Sequence, residues 1–243
     1  MKKYKDVLIV IPARFKSTRF PGKPLKKILG KPMIERVWEK CIKAINKENV
    51  VVATDDHRIF AFCKLKKINV IITSSSCKTG TDRVFEVSRL KKYKYYVNVQ
   101  GDEPLIKSQN IKKIIDFGLK NKSYVINGMC KINNKKDYYN LNVPKVVVNR
   151  FNELVYMSRA GIPSNKKGIF SKSYKQVCIY FFPSKILSTF GKFKKKMNLE
   201  NYEDIEILRL VENDIKVKML KFSETSISVD TLKDLKKVEK ILK

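Results

Sequence analysis

The sequence predicts an α/β fold built on a mostly parallel sheet, and three observations predict it. Short runs that are apolar almost throughout recur at residues 7–11, 50–53, 70–73 and 95–99. Runs without polar alternation are strands covered on both faces, as parallel strands are. Segments with helical apolar spacing separate them, which is the β-then-α order of a parallel sheet. Finally, the first and fourth runs both release charged loops at their carboxyl ends, the edge where open α/β sheets bind ligands.

Composition sets the limits. The 243 residues fit one domain, 1–243, with a sizeable core and room for an inserted lobe. The formal charge of +30 raises nucleic acid as a partner, but it comes from 44 lysines and only nine arginines spread along the chain. No arginine-rich tail, zinc-finger spacing or RNP-like strand accompanies it, so no specific nucleic-acid function is expected. The five cysteines, Cys41, Cys63, Cys77, Cys130 and Cys178, are odd in number and far apart, as reduced cytosolic thiols are. Neither a signal peptide nor an apolar run of membrane-spanning length is present, and the expected location is the cytoplasm without membrane insertion.

In chain order, residues 7–11 form the first strand, and Pro12, which has no N–H to donate, ends its ladder. The loop that follows carries Arg14, Lys16, Arg19 and Lys23, with Gly22 between Pro21 and Lys23. A cationic loop there is placed for a nucleotide phosphate, although it matches neither the dinucleotide fingerprint nor the Walker loop. Residues 33–44 form a helix with Ile34, Val37, Trp38, Cys41 and Ile42 on one face, which makes Trp38 a core residue. After the strand 50–53, Asp55 or Asp56 caps a helix over 57–67. His57, the only histidine, reads as a surface or capping residue, which argues against a histidine base. Strand 70–73 leads through a polar loop to Gly80-Thr81-Asp82-Arg83, where Thr81 can cap a helix with a stripe of Val84, Val87 and Leu90.

The strand 95–99 ends in Gln100-Gly101-Asp102-Glu103-Pro104, before a helix over 108–119. Adjacent carboxylates at the edge that also holds the cationic loop suit a hard cation, and Asp102 would be an oxygen ligand for Mg²⁺ aimed at phosphates. Residues 124–132 form a strand and 133–142 a polar loop, and 143–149 pairs with 154–157 as a hairpin. A basic loop over 165–175 precedes the aromatic strand 177–182 and a helix from Pro183 to about 190. The acidic residues Glu200, Glu203, Asp204 and Glu206 lie on a helix over 199–213. They either pair with lysines or read the hydroxyls of a sugar. A last strand over 216–221 is followed by a helix over 232–242, capped by Asp230 or Thr231.

The loop IPAR-x-x-STR-x-PGKPL, GTDR at 80–83, QGDEP at 100–104, S-R-x-x-I-P at 158–163 and VDT at 229–231 together resemble the 3-deoxy-manno-octulosonate (Kdo) cytidylyltransferase, or CMP-Kdo synthetase, family. The resemblance covers essentially the whole chain. It implies a Rossmann-like nucleotidyltransferase fold with a central mixed, mostly parallel sheet and a small inserted lobe at about 130–190 that covers the sugar and supplies a homodimer contact. The implied reaction couples CTP to the anomeric 2-hydroxyl of Kdo, or of a related acid sugar, and releases pyrophosphate for lipopolysaccharide or capsule synthesis.

By the same resemblance, Pro12, Ala13, Arg14, Arg19 and Lys23 wrap the triphosphate, while Thr79, Gly80, Arg83 and Gln100 seat the nucleoside. Asp102 and Asp230 hold Mg²⁺, and no separate protein base is needed. Arg159 meets the sugar carboxylate, with Tyr180, Glu203 and Glu206 on the sugar side. The chain departs from the family at Gln176, where histidine is usual, at Cys178, where glycine is usual, and at Ile207, where glutamine is usual. These departures leave the exact sugar open.

Overall fold

The computed structural model describes residues 2–16, 20–170, 172–193, 195–223 and 227–243. Its strands are β1 (Val7–Ala13), β2 (Lys27–Ile28), β3 (Lys31–Pro32), β4 (Val50–Thr54), β5 (Val70–Ile72), β6 (Tyr95–Val99), β7 (Val125–Ile132), β8 (Lys145–Val148), β9 (Leu154–Ser158), β10 (Ser173–Pro183) and β11 (Val217–Phe222). Its helices are α1 (Met33–Ile42), α2 (His57–Leu65), α3 (Gly80–Leu90), α4 (Ser108–Lys120), α5 (Lys135–Tyr139), α6 (Ser184–Lys192), α7 (Asn198–Glu203), α8 (Leu208–Val211) and α9 (Leu232–Leu242).

The main sheet runs β11-β7-β10-β6-β1-β4-β5. β10 is antiparallel to both of its neighbours, and every other adjacent pair along that path is parallel, so the sheet is mixed and mostly parallel. The β8–β9 hairpin joins at the start of β10, where Tyr174 faces Val146 and Lys175 faces Lys145.

Alternation along β1 divides the core between the two faces of the sheet. Val7, Ile9 and Ile11 point to the face covered by α1, α2 and α4, through Ile34, Val37, Ile59, Cys63, Ile111 and Ile114. Leu8 and Val10 point to the other face, under Val84 and Val87 of α3, Leu187 and Phe190 of α6, and Leu208 and Leu210 of α8. At about 1.5–3 kcal/mol for each fully buried aliphatic side chain, this double cover holds the strand ends in place.

Several elements differ from the sequence expectation, each for a local reason. The β1 ladder does not stop at Pro12. It ends at Val10 on the β6 side but continues on the β4 side, where Ala13 still pairs with Thr54. Thr79, not Thr81, caps α3, because its hydroxyl accepts the Asp82 N–H while Gly80 is already helical. The apolar stripe of α3 ends at Val87, since Leu90 in the last turn is 61% exposed. Residues 135–139 form α5, with the Asn134 side chain accepting the Asp137 N–H. β10 starts at Ser173 because Tyr174 and Lys175 find partners on both β7 and β8. The helix expected over 199–213 is broken into α7 and α8 at Asp204, whose φ of 50° is left-handed. Among the described residues, no helix is long and apolar enough to cross a membrane.

Candidate active site

A cleft of about 590 Å³ opens at the carboxyl ends of β1 and β6, lined in part by Pro12, Ala13, Arg14, Lys23, Gly80, Arg83, Gln100, Asp102, Arg159 and Asp230. Lys16, Pro24, Gly101, Leu141, Asn142 and Asp204 complete the lining. The basic side chains Arg14, Lys16, Lys23, Arg83 and Arg159 face the acidic Asp102, Asp204 and Asp230, and this cationic excess suits a polyanion. Arg19 lies outside the described residues.

The floor of the cleft forms where β1 and β6 end side by side. A Cβ on Gly101 would lie 2.8 Å from the Pro12 carbonyl oxygen, so only glycine lets the two strand ends close up. Beyond β1, the chain loops back through the Gly22 N–H, which donates to the Phe15 carbonyl at 2.9 Å. The φ of Gly22 is +67°, a conformation that glycine adopts at little cost, and it turns Lys23 inward.

Lys23 Nζ then lies 2.7 Å from Asp102 Oδ2 and 3.1 Å from Asp230 Oδ1. The two carboxylates come from the turn after β6 and from the residue before the cap of α9, 128 residues apart in sequence numbering, and the Val229 N–H, which donates to the Asp102 carbonyl at 2.9 Å, stitches them together. Thr231 caps α9 with Asp234, so the Asp230 carboxylate turns toward Lys23 instead of the helix. Burial works against the charge of Lys23, but the two carboxylates outweigh it and raise its pKa.

This ammonium marks a point that both carboxylates reach together. Hard oxygen donors converging on one cation beside a phosphate-sized cationic loop fit Mg²⁺, which typically takes one or two protein carboxylates and completes its shell with phosphates and water. Among the described residues there is no cluster of three or more His, Cys, Asp or Glu side chains placed for a metal ion.

Where α3 begins, Arg83 is fully buried, pairs with Asp55 at 3.3 Å and donates to the Thr73 hydroxyl. Gln100 Nε2 donates to Glu206 Oε1 at 3.2 Å, and Glu206 Oε2 accepts the Thr81 N–H at 3.0 Å, at the amino end of α3. Burial pushes the Glu206 carboxyl above its ordinary range, against the N–H bond that favours its charge. Arg209 pairs with Glu200 at 2.7 Å and with Asp82 at 2.6 Å, and lies 3.9 Å over the Phe190 ring. This buried cluster anchors α7 and α8 to the start of α3.

The far wall is built from the segments that flank the β8–β9 hairpin and from Asp204 after α7. The Arg159 guanidinium donates to the carbonyls of Glu203 at 2.5 Å, Leu141 at 3.0 Å and Asp204 at 3.0 Å. Glu203 accepts the Arg159 N–H at 2.8 Å and the Tyr156 hydroxyl at 3.3 Å. Beneath Arg159 lies Lys145, whose side chain is fully buried. Its Nζ donates to the Asn140 carbonyl at 2.9 Å and to the Arg159 carbonyl.

Burial first, then the nearby Arg159, lowers the Lys145 pKa to about 8, while Glu203 and Asp137 oppose the shift. The folded chain therefore sheds this proton before the unfolded chain, for which an ordinary lysine value near 10.5 holds. The penalty for burying the charge is complete below pH 8 and fades as the pH rises toward 10.5. The stability of the native protein relative to Lys145→Met should thus rise by up to about 1.4 kcal/mol per pH unit across that window. Urea unfolding of both proteins at pH 7, 8, 9 and 10 measures it, and a flat difference would contradict the assignment.

Six expected site residues do not line the cleft. Thr79 serves as the helix cap, Glu203 holds Arg159, and Glu206 stands behind Gln100. Gln176 Nε2 donates to Asn127 Oδ1 at 3.1 Å and to the Tyr180 hydroxyl at 3.0 Å, and Tyr180 is itself buried. Ile207 is buried in the apolar cluster on the α3 face of the sheet. Conversely, Leu141 and Asn142 line the cleft without any signal in the sequence, because only the fold of the hairpin brings them there.

Residues 8–220 match the family model described as cytidylyltransferase. The chain is 38% identical to the 3-deoxy-manno-octulosonate cytidylyltransferase of Zea mays, over 96% of this chain and 80% of that protein. It is also 38% identical to the enzyme of the same name from Thermodesulfovibrio yellowstonii, over 97% of each chain. A solved structure described as CMP:2-keto-3-deoxy-manno-octonic acid synthetase complexed with CTP superposes with a TM-score of 0.90 at 31% identity, covering 98% of both chains.

Proposed function

Because the chain belongs to the CMP-Kdo synthetase family of cytidylyltransferases, we propose that it couples CTP to the anomeric 2-hydroxyl of Kdo and releases pyrophosphate. Cytidylyltransferase activity on a Kdo-like acid sugar follows from membership, and Kdo itself as the substrate is our reading. The observation that carries it is the meeting of Asp102 and Asp230 at one cation position beside the cationic loop.

In this reading Arg14 and Lys23 hold the triphosphate and steady the pyrophosphate as it leaves, while Gly80, Arg83 and Gln100 seat the nucleoside. Asp102 and Asp230 would hold Mg²⁺, which supplies neutralisation of the phosphates and a lowered pKa for the attacking hydroxyl. Three of the five N–H groups of Arg159 are used on backbone carbonyls and its guanidinium also lies 3.7 Å from the Asp204 carboxylate, so a sugar carboxylate would meet its remaining N–H groups in competition with Asp204. The work of the protein is positioning and charge stabilisation along an in-line path.

We also take the protein to be a cytoplasmic homodimer. Five cysteines without disulfides suit a reducing compartment, and Tyr139, Leu141, Phe151, Val155 and Ile169 expose apolar surface on and around the hairpin. Pyrophosphate release, measured with each of the four NTPs and with Kdo, 8-amino-Kdo and a sialic acid, tests the proposal. Release with CTP and Kdo supports it. Preference for another acid sugar would move specificity to the region of Gln176 and Ile207, and silence throughout would refute the reading.

A further inference from the structure

We infer that Lys145 is the positioning residue of the acid-sugar wall, setting Arg159 and the two chain segments beside it and thereby setting the affinity for the second substrate. The inference rests on the reading that Arg159 faces the acid sugar.

The geometry carries it as follows. The far wall consists of Leu141, Asn142, Arg159 and Asp204, which come from three separate stretches of chain. These stretches lie outside the strands: residues 140–144 follow α5 and meet β10 only at their end, where the Pro144 carbonyl accepts the Gln176 N–H at 3.0 Å, Arg159 follows the end of β9, and Asp204 is the left-handed break after α7. Two connected cations join them. Arg159 binds the carbonyls of residues 141, 203 and 204, and Lys145 binds those of residues 140 and 159. Lys145 itself is anchored between strands, with Ser158 of β9 and Lys175 of β10 as its register partners.

A buried ammonium is an expensive way to satisfy two carbonyls. Here it also fixes the height of Arg159 above the sheet, because it grips the backbone of that residue from below. The charged groups around it are Arg159, Glu203 on α7, Asp137 on α5 and Lys175, which pairs with Asp137 at 2.7 Å. Among the described residues, the side chains assigned to the nucleotide are not among the bonding partners of Lys145, so its influence should be confined to the sugar side. A displacement of about 1 Å in a positioning group can cost on the order of a hundredfold.

The experiment compares the native protein with Lys145→Met and Lys145→Gln. Steady-state kinetics with CTP and Kdo should show the KM for the sugar rising at least about tenfold in Lys145→Met, with the KM for CTP changed less than about twofold. Lys145→Gln, which keeps an N–H donor, should recover part of the sugar affinity. In parallel, amide hydrogen exchange without any ligand should quicken at residues 139–142 and 203–205 and stay unchanged in β1, β4 and β6. Both KM values rising together, an unchanged sugar KM, or faster exchange spread across the whole sheet would overturn the inference. If the native protein turns over no acid sugar, the proposed function fails, and the exchange pattern still decides the positioning role. Should Lys145→Met not fold, Lys145→Gln carries the same comparison.

Discussion

Asp102→Asn is expected to lower kcat by about 10³, or about 4 kcal/mol of barrier, while leaving the fold intact. The carboxylate lines the cleft just beyond β6, and its side chain bonds Lys23, which also bonds Asp230. The stitch between the two segments uses the backbone carbonyl of Asp102, which the substitution keeps. Asparagine has the same shape but gives up the negative charge with which Asp102 would hold a divalent ion. Because the ion pair is partly exposed, its loss should change unfolding free energy by less than about 1 kcal/mol. Pyrophosphate release and urea unfolding on the same preparation separate the two effects. More than a tenth of native turnover in the variant would remove Asp102 from the mechanism.

Arg209→Met should be the most destabilising of the changes considered, by about 3–5 kcal/mol. Its guanidinium bonds both oxygens of Glu200 at 2.7 Å, and Glu200 is itself fully buried. The substitution leaves that buried carboxylate with no cation and only the Met197 N–H at 3.4 Å, and it also removes the cation over Phe190 and the bond to Asp82. Since Asp82 completes the capping box at the start of α3, the wall formed by Gly80 and Arg83 should loosen as well. Chemical denaturation reads the loss. The double variant Arg209→Met/Glu200→Leu should regain a good part of it, because the stranded charge is then gone. A single-variant loss below about 1 kcal/mol would mean that the cluster is not an anchor.

The contrast between these two residues explains what the sequence discloses. Asp102 is legible because its signal is local: a buried strand, a glycine and two carboxylates fall within a few residues. The same holds for β1, β4 and β6, whose apolar runs state their burial directly. The acidic stretch from Glu200 to Glu206 is legible only as a question. Of its two readings, internal pairing is the one visible in the geometry, yet the partners are chiefly Arg209, backbone N–H groups and Gln100, with Lys196 bonding Asp204 at 2.6 Å. Arg159 and Glu203 meet across 44 residues, and Arg209 and Asp82 across 127, distances that no periodicity records. Lys145 is the extreme case, since one lysine among 44 becomes distinctive only once it is buried.

The placement of Lys23 bears on the order in which ligands arrive. A tethered ammonium held by two carboxylates competes with a dissolved divalent cation at a high effective concentration, so the ion alone meets a defended position. A nucleotide changes that contest, because its phosphates offer the lysine a second home. On the proposed reading, nucleotide and divalent ion would therefore assist one another thermodynamically, and by reciprocity the ion would strengthen nucleotide binding as much as nucleotide strengthens the ion. A cleft with Lys23 so placed would admit the two as a pair, with a single lysine enforcing the synergy.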